Sequence, residues 1–402
     1  MFQPLAGIRV VDLTASVAGP YCGLILAGLG ADVIKIEHPE RGDDTRDWGP
    51  PFWNGESAVF LVLNAGKRSL GLDVKSPEGL AVAHRLVEQA DVFVQNLRPG
   101  LAERLGLGFD DLAARNPRLV YCTIGAFGAV GPRSAQPGYD PLMQASGGMM
   151  SVTGEPGRPP VRAGFSAVDQ GTGMWSALAI VAALMSRDAA GQAQLIETSL
   201  FETAVGWVPY QIAGYLGTGK TPRPMGSGMN MLAPYEAFRA QDGWVMLAAG
   251  NDRLFAALCE ALGAGEVAAD ARFLTNADRV THREELASIL GELVARDDSA
   301  TVLGKLERAG VPAAPVQDIA QVVSDEQTAA LGLLQSLPHP AIPDLRLVGM
   351  PLTFDGERLE YRSPPPALGE HSREILRDAG YAEDEIAELG ERGIVRCHAT
   401  RP

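Results

Sequence analysis

Short apolar runs alternate with amphipathic stretches over the first third of the chain. Residues 8–13 and 32–36 have the continuous apolar character of buried strands, and residues 19–29 between them have a helical pattern. A strand, a helix and a second strand of these lengths require parallel pairing with a right-handed crossover. The pattern recurs with a helix over 76–89, where Ser76 is the N-cap, and strands over 92–94 and 119–124. It predicts an α/β layer with a mostly parallel, Rossmann-like sheet.

The pattern changes after an apolar stretch at 174–185, which is predicted to be helical. Residues 214–230 are rich in Gly, Thr and Pro, which suggests a domain boundary. Beyond it, residues 235–239 and 244–248 flank an Asp-Gly turn, as in a β-hairpin. Helices are predicted over 253–262 and from Thr281, where Glu284 completes a capping box. At 402 residues the chain exceeds the usual size of one hydrophobic core, so we expect two domains.

Composition and charge narrow the classes of function. Hydrophobic residues make up 46% and charged residues 21% of the chain, as in an ordinary soluble globular protein. The net charge of −15 argues against nucleic acid or an anionic membrane as partner, because both require a basic surface. A polyanionic ligand would therefore be held by a few placed cations.

Cysteine and histidine spacing predicts neither a metal site nor disulfides. The four cysteines form no CxxC pair, and the six histidines show no metal-ligand spacing. The N-terminal residues lack the pattern of a signal peptide, and the best apolar stretch is about half of what a bilayer requires. We expect a cytoplasmic protein with reduced cysteines.

Asp169 is a lone carboxylate at the start of the apolar helical stretch, between Gly164 and Gly173. One interpretation is an N-cap, since Asp accepts hydrogen bonds from the free N–H groups of a first helical turn. The other is a nucleophile that the helix terminus keeps ionised, with Gly171 and Gly173 leaving room for a bulky acyl group. The local pattern favours the cap and does not exclude the nucleophile.

An ordered set of short motifs surrounds Asp169. They are Ala18-Gly-Pro20, Gly30-Ala-Asp-Val-Ile-Lys-Ile-Glu37, Asn64-Ala-Gly-Lys-Arg-Ser69, Leu72-Asp-Val-Lys75, Ala90-Asp-Val-Phe-Val-Gln-Asn96, Gly138-Tyr-Asp140 and Leu368-Gly-Glu-His371. From about Leu5 to about Val395 the chain resembles the family III CoA-transferases, the group of formyl-CoA and carnitine CoA-transferases that also includes the α-methylacyl-CoA racemases. Asp169 falls where that family carries its catalytic aspartate.

The resemblance implies an architecture. The large Rossmann-like domain begins with 1–210, a smaller α+β domain covers 225–325, and the segment 330–402 returns to the large domain. The family also implies an interlocked homodimer.

The resemblance implies a mechanism without a metal or a permanently bound cofactor, in which a coenzyme A thioester is a substrate. Asp169 takes the acyl group as a mixed anhydride, CoA then forms an aspartyl-CoA thioester and releases the donor acid, and the acceptor carboxylate reverses the sequence. With ordinary pKa values of about 4 for the carboxyl and about 8.5 for the thiol, the anhydride lies on the order of 6 kcal/mol uphill. Binding energy from the remote parts of CoA and backbone N–H donors at the oxyanion can offset that climb.

Matched by position with the family, a set of residues would contact CoA: Ser16, Val17, His38, Leu72, Lys75, Asn96, Leu97, Arg98, Arg104 and Tyr139. The family often has Arg or Pro where this chain has His38, and relatives differ at Arg98. For the cations, an ordinary solvated surface charge is the alternative interpretation.

Tyr139 separates the transferases from the racemases. Racemases use a histidine in the equivalent Gly-x-Asp segment, together with an aspartate that matches Asp169. A phenol with an ordinary pKa near 10 is a poor proton carrier at neutral pH. Tyr139 is predicted to pack against the adenine or to bond the pantetheine, with a structural tyrosine as the alternative; a racemase-type isomerase is the second candidate function.

The segment 226–238 resembles the branch of the family that acts on short dicarboxylic acids. Such an acid brings a second carboxylate that needs a cation, for which Arg162 and Arg223 are candidates, although Arg162 occurs in relatives of other specificity. The loop 225–229 would cover the site; a flexible linker between domains is the alternative. The predicted reaction is transfer of CoA from succinyl-CoA or a similar acyl-CoA to a short, preferably dicarboxylic, acid.

Other enzyme classes fit the sequence less well. A nicotinamide-dependent dehydrogenase lacks its glycine fingerprint after the first strand, and a thioesterase of the serine type lacks a GxSxG motif. A non-catalytic CoA-binding protein can be separated only by an assay.

Overall fold

The computed structural model describes residues 2–397, and these fall into two compact units. The larger unit comprises 2–149, 163–209 and 326–397. The smaller unit comprises 210–325 together with the short segment 150–162, which the pattern of apolar residues did not single out.

A seven-stranded sheet forms the centre of the larger unit. Its strand order is Val395–Arg396, Arg68–Leu72, Asp32–Glu37, Arg9–Leu13, Val92–Gln95, Val120–Gly125 and Gln194–Ser199. All neighbouring strands pair in parallel except the two-residue edge strand, which is antiparallel to its neighbour. In the central strand, Val10 lies opposite Val33 on one side and Val92 on the other. The predicted parallel α/β sheet is therefore confirmed.

Both faces of the sheet are buried, because successive residues of each strand point to opposite sides. Val10 and its partners pack against the helices Ala18–Gly28 and Ala167–Ala190. Val11 belongs to the cluster on the other face, which includes the helix Pro77–Glu88. The predicted cap of that helix is present, since the Ser76 side chain accepts a hydrogen bond from the Gly79 N–H.

The remaining elements of the larger unit are short. Its other helices are Asp44–Asp47, Ala58–Asn64, Leu101–Arg104, Phe109–Arg115, Asp140–Ser146, Leu200–Gly206, Glu326–Ala330, Ser372–Asp378 and Glu383–Glu391. Its short strand pairs are Phe52–Trp53 with Glu56–Ser57, Leu334–Ser336 with Arg346–Val348, and Thr353–Phe354 with Glu357–Arg358. The helices Met149–Val152 and Pro209–Thr218 each begin on the last residue before a change of unit.

The helix Ala167–Ala190 begins seven residues before the predicted start at 174. A β-carbon added to Gly173 would lie 2.6 Å from the Ala18 carbonyl oxygen, and one added to Gly171 would lie 2.7 Å from the Trp207 ring. These glycines therefore permit close packing within the protein. The interpretation that they leave room for an acyl group is wrong.

The smaller unit has a three-stranded antiparallel sheet in the order Ala313–Pro315, Trp244–Ala248, Tyr235–Arg239. The predicted hairpin is confirmed, with Trp244 opposite Arg239. Its further helices are Asp252–Ala261, Gly265–Ala268, Asn276–Thr281, Arg283–Val294, Ser299–Arg308 and Ile319–Ser324.

The predicted capping box at Thr281 is wrong. The box is formed six residues earlier by Thr275 and Asp278, and Thr281 ends the helix that they begin. The Thr281 hydroxyl donates instead to the Ala277 carbonyl oxygen at 2.9 Å. In the part of the chain that the structure describes, no helix is long and apolar enough to cross a membrane.

Candidate active site

Most of the predicted CoA-contacting residues lie where the parallel strands end. Ser16 and Val17 follow Arg9–Leu13, and His38 follows Asp32–Glu37 directly. Leu72 ends its strand and Lys75 comes three residues later; Asn96, Leu97 and Arg98 follow Val92–Gln95. Because carboxyl ends of parallel strands meet at one edge of a sheet, these residues share the edge where open α/β sheets bind ligands. Arg104 ends the short helix Leu101–Arg104, and Tyr139 directly precedes the helix Asp140–Ser146.

The accessibility of these residues differs. Lys75, Arg98 and Arg104 are exposed, and Tyr139 is 61% exposed. Leu72 is only 2% exposed and belongs to the sheet core, so a ligand could reach little besides its backbone.

His38 is engaged within its own turn. Its Nδ1 accepts hydrogen bonds from the N–H groups of Glu40 at 3.2 Å and Arg41 at 3.4 Å. The ring therefore fixes the turn after the second strand.

The loop after the first strand is held by side chains from other strands. The Asn96 side chain binds both backbone polar groups of Ala15. Its Oδ1 accepts from the Ala15 N–H at 3.0 Å, and its Nδ2 donates to the Ala15 carbonyl oxygen at 2.8 Å. The Asp43 carboxylate accepts from the Ser16 N–H at 3.2 Å, and buried Lys35 donates to Asp43 and to the Thr14 carbonyl oxygen, both at 2.8 Å. These bonds hold Ser16 at a φ of 67°, an uncommon conformation for a residue with a side chain. The loop 14–17 is thus preformed.

The segment 64–69 belongs to a second buried network of hydrogen bonds. The Lys67 ammonium donates to Asp12 at 3.1 Å, to the Asn64 amide oxygen at 3.0 Å and to the Pro20 carbonyl oxygen at 2.8 Å. Burial lowers the pKa of Lys67 to about 8, against the opposing charge of Asp12. Through these hydrogen bonds Lys67 links the first strand to the helix Ala18–Gly28. The network therefore stabilises the carboxyl end of that strand.

A cavity of about 270 Å³ lies at this edge, beside the ends of Val92–Gln95 and Val120–Gly125. Leu97 and Arg98 line it, together with Thr123 and Glu197. Two of the predicted CoA contacts therefore share one cavity.

Asp169 is the third residue of its helix and does not cap it. The N-cap position is Ser166, and its side chain makes no capping hydrogen bond. The buried carboxylate of Asp140 takes that place, since its Oδ2 accepts from the N–H groups of Val168 at 2.8 Å and Asp169 at 3.2 Å. The structure therefore decides against the N-cap interpretation of Asp169.

The Asp169 carboxylate accepts no hydrogen bond from any residue within 2–397. Two other carboxylates of the same unit are engaged: Asp140 caps the helix of Asp169, and Glu202 accepts from the Ser199 hydroxyl. The Asp169 carboxylate is partly buried. Because no hydrogen bond within the described chain engages it, it is available to a ligand.

Burial and the neighbouring charge of Asp140 raise the pKa of Asp169 to about 7. The expectation that the helix terminus keeps this carboxyl fully ionised is therefore wrong at neutral pH. The main reason is burial; in addition, Asp140 already occupies the helix N-terminus and adds a like charge.

Sequence reasoning placed Asp140 in a motif but gave it no role. Its sequence signal was an Asp-Pro pair at the start of a helix, which is a common local arrangement. Its contact with the helix of Asp169 bridges 28 and 29 residues of sequence, so a local pattern could not reveal it.

In the smaller unit, the loop 225–229 is tied to its surroundings. The Gly226 N–H donates to the Gly154 carbonyl oxygen at 2.8 Å, and the Ser227 hydroxyl accepts from the Ala237 N–H at 3.0 Å. The Arg283 guanidinium donates to the Met229 carbonyl oxygen at 2.8 Å. This loop is therefore anchored at several points, unlike a free linker.

Within 2–397, no group of three or more His, Cys, Asp or Glu residues could hold a metal ion.

Comparison with known proteins defines the class. Residues 5–372 match the profile described as CoA-transferase family III. Succinyl-CoA:glutarate CoA-transferase of Mus musculus is 36% identical over 400 residues, covering 99% of this chain and 92% of that protein. Succinate--glutarate CoA-transferase of Agrobacterium fabrum is 40% identical over 385 residues, covering 93% and 95%.

A solved structure agrees with these sequence matches. The crystal structure of a CAIB/BAIF family protein from Brucella suis has a TM-score of 0.85 and 39% identity, and the match covers 94% of this chain and 100% of that one. The chain belongs to the CoA-transferase family III. The predicted resemblance and the prediction of a CoA-transferase are confirmed.

Proposed function

We propose that this protein transfers CoA from succinyl-CoA or a similar acyl-CoA to a short dicarboxylic acid, with Asp169 as the nucleophile. The family membership and the names of the mouse and Agrobacterium relatives, which pair succinyl-CoA or succinate with glutarate, support the reaction class. The observation that carries the role of Asp169 is a partly buried carboxylate with a pKa of about 7 and no hydrogen bond within the described chain.

The raised pKa of Asp169 makes the first step less unfavourable. A carboxylate of pKa about 7 leads to a gap of roughly 1.5 units to a thiol of pKa about 8.5, or about 2 kcal/mol. The ordinary aspartate value gives about 6 kcal/mol for the same comparison. Burial and Asp140 thus supply part of the stabilisation that was expected from CoA binding and from backbone N–H donors at the oxyanion.

The reaction consists of four exchanges at carbonyl carbons. Asp169 attacks the thioester carbonyl, the C–S bond breaks, and CoA leaves as a thiolate from a mixed anhydride. The thiolate attacks the aspartyl carbonyl and the donor acid leaves as a carboxylate. The acceptor carboxylate then attacks the aspartyl-CoA thioester, and the released thiolate attacks the acceptor carbonyl, which regenerates Asp169. No net proton is consumed.

CoA is proposed to bind along the carboxyl-end edge of the sheet. The preformed loop 14–17 and the cavity beside Leu97 and Arg98 support this placement, and the exposed cations Lys75, Arg98 and Arg104 suit the phosphates. His38 and Tyr139 complete the proposed set, while Leu72 contributes through its backbone.

The direct test is incubation with succinyl-CoA and a panel of acids that includes glutarate, with new CoA thioesters detected by mass spectrometry. Asp169→Asn is expected to keep CoA binding and to lose transfer by several orders of magnitude, because the other carboxylates of this region are already hydrogen-bonded. Hydroxylamine added during turnover should modify the peptide that contains Asp169. Modification at Glu202 or Asp140, or a variant retaining more than about a tenth of the rate, would contradict the proposed nucleophile.

A further inference from the structure

The smaller unit contains a cavity of about 580 Å³. Neither Asp169 nor any of the proposed CoA contacts lines it. It is lined from the helix Pro209–Thr218 by Tyr210 and from the following segment by Lys220 and Arg223. Three methionine side chains, Met225, Met229 and Met231, add apolar surface. The volume is in the range of small-molecule sites.

The charge of this cavity is positive. Lys220 and Arg223 are exposed, and neither forms an ion pair within 2–397; no Asp or Glu lines the cavity. In a chain with a net charge of −15, such a local excess of cations would attract an anion. The guanidinium of Arg223 can bind a carboxylate through two parallel hydrogen bonds.

One wall of the cavity is fixed by a neighbouring pair of helices. Asn276, Arg279 and Arg283 together bind the backbone of residues 229–233. Asn276 donates to the Met231 carbonyl oxygen at 2.9 Å, and buried Arg279 donates to the Ala233 carbonyl oxygen at 2.8 Å. Arg283 donates to the carbonyl oxygens of residues 229, 230 and 232 at 2.8–3.3 Å. The methionines at 229 and 231 are therefore held on a preformed wall.

We infer, on the basis of the proposed function, that this cavity binds the short dicarboxylic acid through one of its two carboxylates. Lys220 and Arg223 bind that carboxylate, and the methionine side chains contact the methylene chain. A monocarboxylic acid whose only carboxylate is bound by these two cations has no second carboxylate left to accept CoA. Lys220 and Arg223 thus select dicarboxylic acids.

The test compares glutarate with pentanamide, which has the same number of carbons and no carboxylate. Calorimetric titration of the wild-type protein should show tighter binding of glutarate. Arg223→Gln and Lys220→Gln should each weaken glutarate binding at least about tenfold and leave any binding of pentanamide unchanged, as expected for a lost charge-assisted hydrogen bond. Arg223→Lys should retain part of the affinity. Arg296→Gln, which removes an exposed cation of the same unit that does not line the cavity, should have no effect.

Turnover separates this inference from the proposed function. In the transfer assay, the same two variants should raise the KM for glutarate with kcat retained. Equal loss of glutarate and pentanamide binding, unchanged glutarate binding, or weakened binding of CoA itself would overturn the inference, the last because the cations would then serve the CoA phosphates. If the wild-type protein transfers CoA to no acid, the proposed function fails, whereas glutarate binding that depends on Arg223 would still support the cavity.

Discussion

At the scale of single residues, Asp169 combines two properties that ordinary surface carboxylates do not have together. Its carboxyl is partly buried beside a second carboxylate, so the charged form is disfavoured; yet no donor within 2–397 compensates it. A nucleophile gains from the resulting basicity, and the folded protein loses stability. Both consequences can be measured.

The rate of transfer should depend on the ionisation of Asp169. Since only the carboxylate attacks, kcat/KM is expected to rise with pH and to level off above about 7. Asp140→Asn removes the like charge while keeping an oxygen that can accept from the Val168 N–H, so it should move the inflection to lower pH. A rate independent of pH from about 5 to 9 would contradict this assignment.

The raised pKa of Asp169 should also lower the free energy of unfolding at neutral pH. The folded-state pKa of Asp169 is raised above the ordinary value, so ionisation destabilises the fold progressively from about pH 4 to about pH 7. Asp169→Asn should therefore have little effect near pH 4 and should stabilise the protein by about 4 kcal/mol at pH 8. Urea unfolding at the two pH values measures it. Glu292→Gln, at an exposed carboxylate, should show no such pH dependence.

The sequence identified Asp169 by its place in an ordered set of motifs, but not its surroundings. Its pKa depends on Asp140 and on burial, and both arise from tertiary contacts. The same holds for Lys35 and Lys67, whose motifs were recognisable although their buried hydrogen bonds were not.

At the scale of elements, the loop 14–17 depends on strands that are distant in sequence. Asn96 binds both backbone groups of Ala15 from the end of the neighbouring strand. Because this loop includes two of the proposed CoA contacts, its geometry and the affinity for CoA should be coupled.

Asn96→Ala should weaken CoA binding as well as stability. Loss of its two hydrogen bonds is expected to cost about 1–3 kcal/mol of unfolding free energy. Asn116→Ala is a matched control, because the Asn116 amide also bridges backbone groups, at Val87 and Ala90, ahead of the strand Val92–Gln95. Both variants should lose stability in urea, and only Asn96→Ala should raise the dissociation constant of CoA. Equal CoA affinities would contradict the coupling.

The predicted strands and the hairpin of the smaller unit agree with the structure because their apolar runs are bounded by clear turn residues. The start of the helix Ala167–Ala190 was missed, since two glycines and an aspartate lie in its first two turns. Tertiary packing decides there: the glycines allow contact with Ala18 and Trp207. Thr275 and Thr281 are each followed three residues later by an acidic residue, so the local pattern allows a capping box at either one. The structure shows that the helix begins after Thr275.

At the scale of the whole molecule, apolar surface indicates association. Met174, Leu178 and Met185 lie on the same side of the helix Ala167–Ala190, and Trp175 lies beside them; their exposed fractions are 52%, 59%, 84% and 52%. In the smaller unit, Tyr210 and Leu216 are 70% and 77% exposed on the helix Pro209–Thr218. Exposed apolar side chains that share one face of a helix are candidates for contact with another chain. The pattern supports the homodimer that the family resemblance implies.

We expect a homodimer of about 85 kDa, twice the 42.5 kDa of one chain, in light scattering. Leu178→Glu should prevent assembly of the dimer, because it places a charge among the exposed apolar side chains of the helix Ala167–Ala190 that the partner would cover. Val348→Glu, at an apolar residue that is 65% exposed on a short strand pair, should leave the dimer intact. An active monomer of the wild-type protein would contradict the prediction.

Dilution distinguishes interlocked chains from chains that only pack together. Two chains that thread through each other can separate only if at least one of them unfolds, so the dissociation and unfolding transitions must coincide. Dilution to nanomolar concentration should then leave the dimer intact for as long as the protein stays folded, and the midpoint in urea should depend on protein concentration through a single two-state transition. Folded monomers that appear on dilution, ahead of any loss of secondary structure, would show that the dimer is not interlocked.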